Sequence, residues 1–257
     1  MKNLFITISC LLFAANIYAQ TGKVITSGKI EFEKRINMHA ATKNMMGNLT
    51  GLSATVYTQA FDEYKRTAPQ FATLNSTLIF NDNKSLFTPI EPKQQINNML
   101  GTPLAKQFNT VYTDMANNKN TILKDVYGEK LLISDSLSKI KWKLTDETQE
   151  VAGYTCRRAN GLIQDSVYVV AFYTDKIWMS SGPESFSGLP GMILKLALPY
   201  ENVIWTATKV TTEPVPSATI IPPAKGTVVN KKQLYDKLKS ALSNSTMAPY
   251  YLKLYLL

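Results

Sequence analysis

Histidine is almost missing from this chain of 257 residues: His39 is the only one. A metal centre built on several imidazoles, or a hydrolytic triad with a histidine base, would have to rest on that single side chain. Cysteine is nearly as scarce, with Cys10 and Cys156 the only two. Once a leader carrying Cys10 is removed, no internal disulfide can form, and stability must come from an apolar core. No segment after the N-terminal stretch approaches the roughly 18 uninterrupted apolar residues of a membrane helix, so the mature chain is expected to have no membrane span. The G-x-S-x-G, H-E-x-x-H, P-loop and dinucleotide fingerprints are also absent. Ser136 and Lys139 fit an S-x-x-K spacing, but the S-D-N and K-T-G companions that would give it catalytic meaning do not occur. These absences remove the familiar hydrolase, metalloenzyme and nucleotide-enzyme classes, and no catalytic residue, metal or cofactor is assigned.

The N-terminus has the pattern of an export signal. Lys2 precedes an apolar stretch over residues 4–15, and Ala19 offers the small side chain needed at a cleavage site. Residues 1–19 are therefore read as a signal peptide and 20–257 as one β domain. The apolar run before Cys10 is only about six residues, shorter than the usual h-region of about 7–15, so simple secretion is expected ahead of a lipid anchor at Cys10. The formal net charge of +9 includes Lys2, which leaves +8 on the mature chain (9 − 1). A basic exported protein meets anionic envelope polymers before it meets nucleic acid, and no nucleic-acid partner is expected.

Strand alternation dominates the remainder. In residues 28–38, Ile30, Phe32, Ile36 and Met38 share one face, and Lys34 is the exception on that face. Residues 81–84 (NDNK) and 127–129 (YGE) read as hairpin turns. Ile140, Trp142 and Leu144 alternate with Lys141 and Lys143, which continue a basic ladder from Lys139. Further strands are expected over residues 151–159, 167–173, 192–198 and 203–210. At least nine short strands predict a large curved antiparallel sheet or partial barrel with few helices. Residues 212–229 are proline-rich and read as an extended crossing segment. Residues 230–243 read as a helix near the C-terminus, with Asn230 and Gln233 placed to cap it. Residues 55–66 and 94–100 fit helix or loop equally.

Cys156 is the sole mature thiol. Neighbours on a strand point to opposite faces, so Cys156 is inward if both arginines, Arg157 and Arg158, snorkel outward, and it is read as a buried, structural side chain. His39 stands near Met38, Met45 and Met46, a grouping that suits either packing or soft-metal binding, with packing favoured.

Glycine and proline, 12 of each, concentrate in residues 181–196 (SGPESFSGLPGMILKL). Pro190 and Gly191 fit the centre of a type II turn, and Leu189 before proline is held extended. The candidate site is this loop: Gly182, Pro183, Glu184, Phe186, Gly188, Leu189, Pro190, Gly191 and Met192, placed to offer backbone at a cavity rim. Trp142, Gly153, Cys156 and Tyr173 are read as structural.

The hexad GLPGMI at 188–193, with SGKIEFEKRINMH, WKLTDETQEVAGYTCRRA and DSVYVVAFYTDKI in order before it, resembles the GLPGLI family of exported bacterial proteins. Met192 stands where the family name has leucine. The resemblance implies a Gram-negative envelope setting, periplasmic or associated with the outer membrane, and a frequent neighbourhood to TonB-dependent receptors; the family has no established activity. The function expected is a non-enzymatic binding or chaperone-like module for an apolar or amphiphilic ligand. The alternative is an accessory protein of an outer-membrane receptor, and the third reading is an enzyme of unknown type.

Overall fold

The structure, a computed structural model, describes residues 24–47, 49, 51–93, 102–164 and 166–257. The expected signal segment, Cys10 and the ambiguous segment 94–100 lie outside the described residues.

The described residues are mainly β, an open, curved sheet of twelve strands with four α-helices. The strands are β1 (Ser27–Asn37), β2 (Phe71–Asn81), β3 (Lys84–Ile90), β4 (Thr110–Asp114), β5 (Lys119–Val126) and β6 (Glu129–Ser136). They continue with β7 (Lys141–Val151), β8 (Tyr154–Ile163), β9 (Val167–Thr174), β10 (Met192–Leu198), β11 (Val203–Thr211) and β12 (Thr227–Val229). Their order across the sheet is β12-β6-β5-β4-β3-β2-β1-β11-β10-β9-β8-β7. Every pairing is antiparallel except β12 with β6, so the sheet is mixed rather than purely antiparallel.

Local chemistry accounts for the turns. The β2–β3 hairpin turns at Asp82, whose φ is 49°, and the β5–β6 hairpin at Tyr127 and Gly128, with φ of 54° and 84°. Positive φ at both central residues, as in the β5–β6 turn, is the type I′ geometry that matches strand twist. A second such turn, Ala152-Gly153 at 49° and 82°, divides residues 151–159 between β7 and β8, where the alternation alone suggests one strand. Alanine gives no turn signal, so only Gly153 marked the place.

Four helices accompany the sheet: α1 (Met38–Met46), α2 (Gly51–Thr67), α3 (Lys231–Ala241) and α4 (Ala248–Tyr255). Met38 therefore opens a helix instead of closing a strand, because the Asn37 side chain accepts the Ala40 N–H at 3.1 Å and caps α1. The ambiguous segment 55–66 is helical within α2. Asn230 and Gln233 form a reciprocal capping box at the start of α3. The proline-rich segment crosses the ends of β1 and β2, where Ser27 Oγ accepts the Val215 N–H and Asn81 Nδ2 donates to the Val215 carbonyl. It then delivers β12 to the far edge of the sheet.

One apolar face of the curved sheet holds the main core. Ile30, Phe32, Leu78, Phe80, Val169, Ala171, Leu194, Leu196 and Trp205 are at most 2% exposed. Helices α1 and α4 pack onto this core through Met38, Met45, Tyr250 and Leu254. A smaller core joins α3 to β5, β6 and β12.

Candidate functional site

The long connection from Thr174 at the end of β9 to Met192 at the start of β10 has no helix or strand of its own. Connections of this length inside a compact fold are uncommon and are usually functional. This one turns inward: Met179, Ser181, Glu184, Phe186, Ser187 and Leu189 are all buried. Polar contacts fix its path. Ser181 Oγ meets Ser85 Oγ of β3 at 3.0 Å, the Ser187 carbonyl accepts the Trp142 indole N–H at 3.0 Å, and Ser180 Oγ accepts the Gly188 N–H at 2.9 Å. The connection is thus a plug in the curve of the sheet, and most of the expected loop residues lie within the core rather than on a rim.

The turn geometry differs from the type II expectation. The Gly191 N–H donates to the Leu189 carbonyl at 2.8 Å, a three-residue turn centred on Pro190. Gly191 has φ of 145°, and a Cβ there would stand 2.1 Å from the Thr174 carbonyl oxygen. The close approach to β9, more than the turn type, demands glycine. Gly188, exposed and at φ of 95°, leaves 3.4 Å between an added Cβ and Trp142 Nε1.

At the heart of the plug is Glu184, a non-glycine residue held at φ of 54° and 8% exposed. Strained backbone at a buried, charged residue persists only where its surroundings determine it. Here the surroundings are ionic. Lys34 Nζ lies 3.5 Å from Glu184 Oε1, and Asn109 Nδ2 donates to Oε2 at 3.0 Å. Lys34 is the residue that breaks the apolar face of β1, and its ammonium also lies over the Trp205 ring, 4.8 Å from the centroid. Burial pushes the Lys34 pKa down, and the Glu184 charge and hydrogen bond oppose that.

A second buried lysine, Lys124 of β5, donates to the Tyr255 carbonyl at 2.8 Å. The carbonyls at a helix C-terminus lack intrahelical partners and attract cations, so Lys124 also ties α4 to the sheet. Burial lowers its pKa to about 8, with Lys34 lowering it further and Glu184 opposing. The interior therefore holds two basic groups around one carboxylate. Beside them is a cavity of about 10 Å³, lined in part by Lys34, Ser76, Glu184 and Trp205. Ser76 Oγ, Trp205 Nε1 and Asn109 Oδ1 are buried without a protein partner. Such a space is the size of a single water with polar neighbours to bind.

On the outer side of the plug a larger pocket opens, about 300 Å³ in volume. Its walls are Met115, Ile177, Trp178, Met179, Pro190 and Gly191, with Asn83 and Asp175 as polar groups. Trp178 is 68% exposed. Of the residues singled out in the sequence, Pro190 and Gly191 reach this pocket and Glu184 reaches the ion pair. Gly182, Pro183, Phe186, Leu189 and Met192 pack internally, with Phe186 6.0 Å from the Trp205 ring.

Tyr173 is buried, Trp142 is half-buried, and Gly153 occupies a hairpin turn. Cys156 is fully buried, and burial pushes its thiol up to about 12. The His39 ring lies 3.2 Å from the Ala68 carbonyl, between Phe61 and Tyr64, while Met38 and Met45 are core residues. Lys124, Asn109 and Trp178 were not anticipated. Lys124 carried the same signal as Lys34, a charge in step with Ile122 and Val126.

The plug lies within a stretch that is similar to one known family. Residues 160–195 match a family described as a protein of unknown function (Porph_ging). The matched stretch contains β9, the plug and the start of β10. No curated protein matches the chain. Among solved structures, PNGF-II in its C2 space group aligns with a TM-score of 0.51 and 15% identity, over 82% of this chain and 32% of that one. Its P21 form gives 0.49, 16%, 82% and 33%. The chain spans about a third of the length of PNGF-II, and the likeness is one of fold.

Proposed function

We propose that the protein is an exported envelope module that binds an apolar or amphiphilic ligand without transforming it. The observation carrying this reading is the pocket of about 300 Å³ beside Pro190 and Gly191. That volume is at the lower end of the roughly 300–1,000 Å³ found for small-molecule sites. Its walls suit such a ligand: two methionines adapt to irregular apolar shapes, and an exposed indole supplies a flat apolar contact with a polar edge. The ion pair behind it holds the plug, and so the pocket wall, in one position.

Trp178 supplies the assay. Trp205 is buried and Trp142 half-buried, so a ligand entering the pocket changes mainly the Trp178 emission. Titration of the chain lacking residues 1–19 with decanoate or decyl glucoside should shift emission to the blue and saturate. Met115→Glu, which puts a charge in the wall, should abolish the shift while leaving the melting temperature close to that of the parent. Native mass spectrometry of protein taken from its own envelope should show a bound amphiphile. No shift with either probe and no co-purified amphiphile would overturn the reading.

A further inference from the structure

The end of the sheet formed by β7, β8 and β9 carries a feature that the pocket does not use. β7 is an edge strand, and a groove of about 770 Å³ runs along its first residues. Lys139, Lys141 and Lys143 border it, and Leu162, Tyr168 and Asn160 contribute to its floor. Lys141 is registered opposite Leu162, Lys143 opposite Asn160, and Leu162 opposite Tyr168, so these side chains share one face of the sheet. Alternate residues on a strand are about 7 Å apart, close enough for like charges to repel. Among the described residues, none of the three lysines forms an ion pair or a side-chain hydrogen bond.

Two of the described acids near it are engaged elsewhere. Asp135 accepts the backbone N–H groups of Ser136 and Lys231, and Glu147 pairs with Arg158. A fourth cation, Lys231, reaches the groove end through Ser138 Oγ at 3.2 Å. Apolar surface is exposed beside this charge. Leu162 is 55% exposed, and Tyr200, edge-on to Tyr168 with centroids 6.3 Å apart, is 70% exposed. Lysines bordering an exposed leucine and a tyrosine pair match both layers of a bilayer surface: ammonium groups to lipid phosphates, apolar and phenolic groups to the interface beneath. An acidic protein surface would satisfy the lysines and leave Leu162 and Tyr200 without a counterpart.

We infer that this face docks the protein on an anionic lipid surface through Lys139, Lys141 and Lys143, with Leu162 and Tyr200 entering the headgroup layer. The pocket at Pro190 lies at the opposite end of β9, away from the docked surface. Docking is therefore independent of ligand binding.

Co-sedimentation of the chain lacking residues 1–19 with vesicles tests this. Phosphatidylglycerol–phosphatidylcholine vesicles should bind it, and pure phosphatidylcholine vesicles should not. Raising salt should weaken binding. At about fivefold per lysine, the triple variant K139Q/K141Q/K143Q should bind on the order of a hundredfold more weakly. Leu162→Asp should weaken it further at high salt, where the apolar contact carries more of the affinity. The substituted side chains are exposed, so melting temperatures should stay within about 1 °C of the parent, and Trp178 titration should be unchanged. Equal binding to neutral vesicles, or a triple variant that binds like the parent, would overturn the inference. So would a chain that ignores both vesicle types but is retained on immobilised polyglutamate.

Discussion

Lys34 and Glu184, 150 residues apart in the chain, face each other at 3.5 Å in an interior where each is less than a tenth exposed. Removing one member of such a pair strands the other charge, which costs far more than the pair contributes. Lys34→Met should lower stability by about 3–5 kcal/mol in urea unfolding. Adding Glu184→Gln removes the stranded charge and keeps a side chain that Asn109 can still reach. The double variant should regain at least half of the loss. A double variant as unstable as the sum of the singles would show that the two residues act separately.

The titration of Lys124 sets a direction for pH dependence. Its folded pKa of about 8 is below the ordinary 10.5. Between those values the unfolded chain binds more protons, so stability rises as pH climbs from about 8. Below 8 the cost of the buried charge is fully present and this group contributes no slope. Lys34 shifts in the same direction. Cys156 opposes them: raised from 9.0 to about 12, it stays protonated in the folded state while the unfolded thiol ionises, so stability is lost above pH 9. The urea midpoint should therefore rise from pH 8 to 9 and then bend over. Lys124→Met should flatten the rise, and Cys156→Ala should relieve part of the bend.

Cys156 should be chemically silent in the native state. Its Sγ lies 3.4 Å from the Tyr154 carbonyl, and no solvent reaches it. Cys156→Ala should cost about 1 kcal/mol. Thiol reagents should modify the parent only at the rate of unfolding, and rapid labelling of the folded protein would contradict that.

Gly191 and Gly188 should respond unequally. Gly191→Ala drives a methyl into the Thr174 carbonyl at 2.1 Å, and a loss above about 3 kcal/mol or failure to fold is expected. Gly188→Ala meets only Trp142 Nε1 at 3.4 Å and should cost the left-handed backbone strain alone, about 1–2 kcal/mol. Thermal melts that rank the two in the opposite order would show that the plug is not held as described.

The strands were legible because alternation survives in a single sequence: Ile30, Phe32 and Ile36 mark β1 without any partner. Lys34 was legible as an anomaly for the same reason. Its partner was not, since Glu184 sits in a connection with no periodicity, and only the fold of the sheet brings the two together. The strand order was equally hidden, because alternation says which face is buried and nothing about which strand lies beside which. Pro190 and Gly191 advertised a turn, but its type depended on how near β9 comes, a tertiary fact. Trp178 gave no signal at all: an exposed indole in a glycine-rich segment looks like any surface aromatic.

The place of β1 in the sheet bears on how the chain reaches this state. β2 to β6 and β7 to β11 are two runs of sequential neighbours in the sheet, and the strand pairing that joins them is β1 with β11. That seam joins Lys29 to Thr211 and Ile36 to Val203. Closing a loop of that length costs on the order of 5 kcal/mol of chain entropy before any contact across it forms. The two runs should therefore order first and the seam last, giving the slow folding typical of non-local β topology. Pulse-labelled hydrogen exchange should find the β5–β6 hairpin amides protected before those linking β1 to β11. A nascent chain of this protein stays divided until residues 203–211 have emerged, however well its first half has formed.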